Sequence, residues 1–176
     1  MMGTRQSGFE GIDKVESKEN RIRFEEEGVY IVALEKVVHG YGDEEGMRPG
    51  EPYCAWELRI AKRLSDTGKD EGMVVGKADY LSGKRKKYAQ REVKALMAAF
   101  MRDPQSEITK ESAEQFVEDD GENVKLMWSH HFGCEPLAYL EIKAREKDDT
   151  VYHNPFPQQL TEQQIDQYKA LAPAEE

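Results

Sequence analysis

Between residues 53 and 64 the chain alternates clearly, and no other stretch constrains the fold as much. Cys54, Trp56, Leu58 and Ile60 fall on one face of an extended strand, while Tyr53, Glu57, Arg59 and the small Ala55 and Ala61 fall on the other. A helix would scatter these residues around its axis, so the segment requires a sheet with one buried face, and Trp56 points into it. Upstream, residues 29–38 are rich in β-branched and aromatic side chains and predict a long first strand. The glycines and proline of residues 40–50 forbid regular structure and predict a hairpin loop. A turn at residues 66–70 leads to a third strand over residues 73–81, with Gly76 permitting a bulge. Three antiparallel strands follow from local patterning.

The period then changes. Ala89, Val93, Leu96, Met97 and Phe100 recur at three- and four-residue spacing, which predicts a main helix within residues 84–102, ended by Pro104. Thr109 caps a short second helix through Val117, with Ile108 packing back on it and Gly121 stopping it. Residues 124–132 and 137–145 read as two more strands joined by a tight turn at residues 133–136, with Ala138, Leu140, Ile142 and Ala144 facing inward. Residues 152–157 form an extended segment lying against the sheet, and Thr161 with Gln164 has capping-box spacing for a final short helix. The order βββ-αα-ββ predicts a mainly β fold with an α insert. A five-stranded OB-like barrel has that order, and a curved open sheet packed on one helix writes nearly the same pattern.

At 176 residues the chain fits one domain, over residues 21–157. It is flanked by a loose arm over residues 1–20, where apolar periodicity is missing, and by a tail over residues 158–176. The longest apolar run, residues 29–34, is far shorter than the roughly 20 residues that span a bilayer. No signal-peptide pattern opens the chain, and two cysteines within strand-like runs fit buried thiols in a reducing compartment, so a cytoplasmic location is expected.

Acidic residues outnumber basic ones, 35 to 25, for a net charge of −10. Against that background Lys84, Arg85, Lys86, Lys87 and Arg91 form a local reversal of sign around Tyr88, continued by Lys94. Such clusters suit a polyanion, because each phosphate neutralised releases counterions while bases stack nearby. A solvated helix start writes the same residues, although cations there oppose the helix dipole. Outward-facing Tyr53 and Arg59, with Lys77 and Tyr80 on the third strand and Tyr139, Lys143 and Arg145 on the last, would make an aromatic and basic face if these strands are neighbours. Ordinary surface strands also carry such residues. Two other chemistries have partial signatures. Asp119 or Asp120 with Glu141 and Lys143 has the form of a D…ExK nuclease site, in which carboxylates hold Mg²⁺. His130, His131 and Cys134 have partial zinc-ligand spacing, without a second ligand pair. Phosphate-loop, dinucleotide and nucleophile-elbow motifs are missing from the sequence.

Taken together, the loose arm, the Glu27-Gly28-Val29-Tyr30-Ile31-Val32 strand, the Tyr53-Cys54-Ala55-Trp56-Glu57-Leu58 strand, the Gly-containing third strand, the helix around residues 91–100 and the closing Tyr152-His153-Asn154 segment resemble phage-encoded single-stranded DNA-binding proteins of the OB-fold type. The likeness is one of layout over residues 20–157. It implies a non-enzymatic protein without cofactor or metal, coating single-stranded DNA in phage replication or recombination, with replication or recombination proteins as partners. Such proteins often end in a strongly acidic tip, of which Pro173-Ala174-Glu175-Glu176 is a weak version.

Overall fold

The Val- and Ile-rich run after Gly28 forms β1 (Gly28–Tyr41), the central strand of a five-stranded antiparallel sheet. The computed structural model describes residues 7–14 and 26–169. β2 (Pro52–Arg63) and β3 (Val74–Tyr80) follow on one side of β1, β4 (Leu137–Lys147) and β5 (Thr150–Gln158) on the other, giving the order β3-β2-β1-β4-β5. Register shifts between Ile31 and Val32 and between Leu34 and Lys36 leave extra residues at Ala61 and Glu35. Bulges of this kind bend a strand and increase its twist, and the sheet is curled into a half-barrel.

The inner face of the curl is the row the alternation singled out. Cys54, Trp56, Leu58 and Ile60 are all buried. Two helices lie against it, α1 (Lys86–Met101) and α2 (Lys110–Glu118). The Trp56 ring stacks on Phe100 of α1 at 6.4 Å between centroids and lies 5.7 Å from Phe116 of α2. α2 starts in a capping box between Thr109 and Ser112, with Ile108 buried just before it.

The structure corrects the sequence reading next. Residues 124–132 are helical, within α3 (Glu122–Phe132), so three helices separate β3 from β4. Gly121, at φ 72°, ends α2 with its N–H on Phe116 O and at once accepts from Lys125 N as the first turn of α3. Trp128 is buried on α3 and its Nε1 donates to Phe100 O at 2.7 Å. That carbonyl lacks a helical donor because the residue four ahead is Pro104. The fifth strand comes from the extended segment, whose Pro155 and Pro157 pair with Ile142 and Leu140 along the sheet edge, where a missing N–H costs nothing. Ala144 is exposed, since β4 and β5 run on past the end of β1. Cys134 lies after α3 rather than in a strand, and it and Cys54 are free thiols.

Part of the expected loose arm is ordered. Phe9 and Ile12 are fully buried in the core, and residues 12–14 form one 3-10 turn. At the other end Thr161 and Gln164 make the expected capping box of α4 (Glu162–Tyr168). No helix among the described residues is long and apolar enough to cross a membrane.

Candidate nucleic-acid interface

The outer face of the sheet carries the row opposite Trp56. Tyr53 of β2 pairs in register with Tyr80 of β3, and the two rings meet edge to face at 6.0 Å. Tyr53 lies over its β1 partner Gly40, where a Cβ would sit 2.6 Å from the phenol oxygen, so a glycine is required beneath the ring. Arg48 reaches in from the loop between β1 and β2, its guanidinium 4.3 Å from the centre of the Tyr80 ring. It donates to Ser82 O at 3.2 Å and pairs with Glu51, and that hydrogen bond holds the Glu51 carboxyl below its ordinary pKa. The loop is therefore folded onto the end of β3 by charge-assisted bonds.

Immediately beyond Ser82 a 3-10 turn, Gly83–Arg85, leads into α1, whose first turn contains no acidic residue. Lys84 and Lys87 are exposed, Tyr88 is half exposed, and the Arg91 guanidinium lies 5.4 Å from the Tyr88 ring. Arg85 belongs to the same turn, but its side chain lies outside the described residues. Tyr53, Tyr80, Lys84, Lys87 and Arg91 thus share one end of the sheet with Arg48 and Tyr88. Sequence reasoning assigned Arg48 only to a loop, because nothing local marks which loop residue folds back. Tyr88 stood inside the basic cluster and signalled itself by that position.

Other expected members stand elsewhere. Arg59 is paired on both sides, with Nη1 2.6 Å from Glu35 and Nη2 3.0 Å from Glu135, and its side chain is 13% exposed. Glu35 is the residue extruded by the β1 bulge, and Lys125 Nζ donates to its main-chain oxygen at 3.2 Å. Two carboxylates against one guanidinium make this mid-face position a poor phosphate site. Lys77 pairs in register with Trp56 and not with Tyr53. Its side chain lies outside the described residues. Tyr139 is half-buried next to Ile31, and burial first, then Glu141, pushes its phenol pKa up.

Lys143 and Arg145 belong to a projecting ribbon. Pairing of β4 with β1 ends at Ile142, beyond which β4 and β5 continue as two strands closed by Asp148 and Asp149, both at positive φ (51° and 62°). Residues 143–151 are exposed throughout. Lys143 pairs with Glu141 at 3.3 Å and lies 5.0 Å from the Phe156 ring. Along β1 the order is therefore Tyr53 opposite Gly40, Arg59 opposite Ala33, and the ribbon beyond Gly28.

The carboxylates of the nuclease pattern do not converge. Asp120 accepts from Val37 N at 2.8 Å, whereas Glu141 lies opposite Val29. Eight residues of strand separate those positions, about 26 Å at roughly 3.3 Å per residue. Asp119 accepts from Asn123 N near the start of α3. No cluster of three His, Cys, Asp or Glu side chains suited to a metal occurs among the described residues. Burial pushes the Cys134 thiol above its ordinary pKa, which keeps it protonated and a weak ligand.

Compared with protein-family models, with curated proteins and with solved structures, the chain finds no match in any of the three.

Proposed function

We propose that the chain is an OB-like, non-enzymatic protein that binds single-stranded DNA with little sequence preference. The observation that carries the proposal is the Tyr53–Tyr80 pair, half-buried on the outer row of β2 and β3 and flanked by Arg48 and by the Lys84–Lys87 turn. OB barrels bind oligonucleotides on the face of their second and third strands and with the loops between strands one and two and strands four and five. In this chain those places hold the tyrosine pair, the Arg48 loop and the β4–β5 ribbon with Lys143 and Arg145. A flat ring offers stacking to any base, and exposed lysines offer contacts to any phosphate, so neither selects sequence. The Arg59–Glu35–Glu135 group keeps the middle of the face from attracting phosphate, which leaves the two ends as contacts. The layout resemblance supports a role in phage DNA replication or recombination in the host cytoplasm, with proteins of those pathways as partners.

The nuclease alternative has no supporting geometry, since Asp120 and Glu141 lie at opposite parts of β1. Fluorescence anisotropy of a labelled oligothymidine and of a duplex, with and without Mg²⁺, tests the reading. Single-stranded binding that Tyr80→Ala and Tyr53→Ala each weaken by about 1–3 kcal/mol, and that the Phe replacements preserve, is expected. Absence of binding to any oligonucleotide refutes the proposal, and Mg²⁺-dependent cleavage replaces it with the nuclease.

A further inference from the structure

The ordered piece of the N-terminal arm is held as a peptide ligand is held. Phe9 and Ile12 are its two anchors, both fully buried, and Gly8, at φ 91°, passes so close to the body that a Cβ would stand 2.5 Å from Leu81 Cβ. The body reads the arm through its main chain. Gln90 Nε2 donates to Gly8 O at 2.8 Å and to Glu10 O at 3.2 Å, Lys94 Nζ to Ile12 O at 3.3 Å, and His39 Nε2 lies 2.5 Å from Ser7 O. Lys110 faces the Glu10 carboxylate at 4.0 Å. Gln90 and Lys94, one turn apart on α1, are the two buried polar side chains among the described residues, and both bond the arm. Burying such groups is costly unless they are hydrogen-bonded, so this groove is built for a chain lying in it.

The arm is covalently tied to the body only through residues 15–25, which join β1 at the end far from the groove. Along β1, Gly28 and His39 are about 36 Å apart at roughly 3.3 Å per residue. The connecting residues reach about 40 Å when extended. That reach is about the diameter of a domain with a radius of gyration near 16 Å. A neighbouring copy in contact therefore presents its arm at a distance the same connection can cover. We propose that the groove is a peptide dock and that residues 7–13 of a second copy of this chain occupy it in place of the chain's own segment whenever docking within one chain is denied. The contacts are identical in the two arrangements, since every copy carries the same groove and the same arm.

The test mixes two full-length variants that keep the connection: Phe9→Ala with Ile12→Ala, whose groove is intact and whose arm has lost its anchors, and Gln90→Leu with Lys94→Leu, whose arm is intact and whose groove cannot bond it. Light scattering is expected to give one chain's mass for each variant alone and twice that mass for the mixture, as the intact arm of one copy enters the intact groove of the other. Excess free peptide of residues 6–14 is expected to return the mixture to single chains, and a Phe9→Ala peptide to do so only at roughly 100-fold higher concentration, given the loss of a buried aromatic anchor. Where the variant without anchors does not fold alone, recovery of its melting transition on adding the second variant supports the proposal. A mixture that stays single at all concentrations, a pair indifferent to the peptide, or an unfolded variant that the second does not rescue overturns it.

Discussion

The two tryptophans provide opposite versions of one experiment. Trp128 Nε1 donates to Phe100 O at 2.7 Å, occupying an acceptor that Pro104 cannot serve, whereas Trp56 Nε1 is buried with no hydrogen-bond partner among the described residues. Replacing either ring by Phe removes a similar volume from the core, worth about 1 kcal/mol in transfer and cavity terms. In Trp128→Phe the change also strands a buried carbonyl, at about 1–3 kcal/mol, so the expected total is about 2–4 kcal/mol. In Trp56→Phe it removes a stranded donor of similar cost, about 1–3 kcal/mol, so the two terms oppose each other and the net change runs from about zero to about 2 kcal/mol of stabilisation. The variants should therefore differ by about 2 kcal/mol or more, or roughly 4–8 °C in Tm for a domain of this size. Since the chain has two tryptophans, each variant keeps one as its own fluorescence probe in a urea titration. Equal losses, or a larger loss for Trp56→Phe, would refute the reasoning that hydrogen-bond satisfaction decides between two rings of the same size and burial.

Three further outcomes follow from the site and the arm. Replacing Lys84, Arg85 and Lys87 together by Ala should flatten the dependence of log K on log salt by about 2, at roughly 0.7 per single-strand contact, and an unchanged slope assigns the cluster to solvent. Arg59→Ala should leave that slope alone and instead destabilise the fold by about 1–3 kcal/mol, because Glu35 and Glu135 lose their shared partner; urea titration and anisotropy on the same sample separate the two effects. Burial acts to raise the Glu10 carboxyl, but hydrogen bonds from the main chain around it and from the Ser7 hydroxyl outweigh it and lower the pKa. A depressed folded pKa contributes stability above the unfolded value and loses it as pH falls through the folded one, so Glu10→Gln should be less stable at neutral pH and show a shallower decline between about pH 5 and 3 in melting experiments.

The segments legible in the sequence were those whose burial is one-sided and periodic. β2 announced its inner row because solvent covers its other face, and α1 announced itself because its apolar stripe recurs over four turns. α3 was misread because Val124, Trp128 and Phe132 combine a helical spacing of four with residue types that favour strands, while Gly121 looked like a stop and serves as a hand-off between two helices. β5 was placed against the sheet but not within it, since prolines argue against a strand until its position at the edge is known. Residues 7–14 of the arm carry two apolar residues among glycines and charges, and only the receiving groove on α1 shows why they matter. Within the site, strand parity placed Tyr53 correctly, but no local pattern tells that Arg59 is claimed by two carboxylates, one from a bulge and one from a turn distant in sequence.

The position of the arm links its groove to the tyrosine pair. Gly8 packs against Leu81 and Pro52, the residues that directly follow Tyr80 and precede Tyr53, and Leu81 N donates to Pro52 O at 2.8 Å. The docked arm therefore lies behind the last rung of the β2–β3 ladder, on whose outer side the two rings stand. Stacking on a ring gains affinity only insofar as the ring is already held in place, because ordering it on binding would offset part of the gain. Arg48, fixed to Ser82 and Glu51, holds Tyr80 from the front, and the arm supports its backbone from behind. On the proposed reading, a chain with a net charge of −10 meets a polyanion through local rather than total charge. Charges farther away than a Debye length of about 8 Å are largely screened, so the exposed Lys84 and Lys87 weigh more on a phosphate that reaches them than distant carboxylates do.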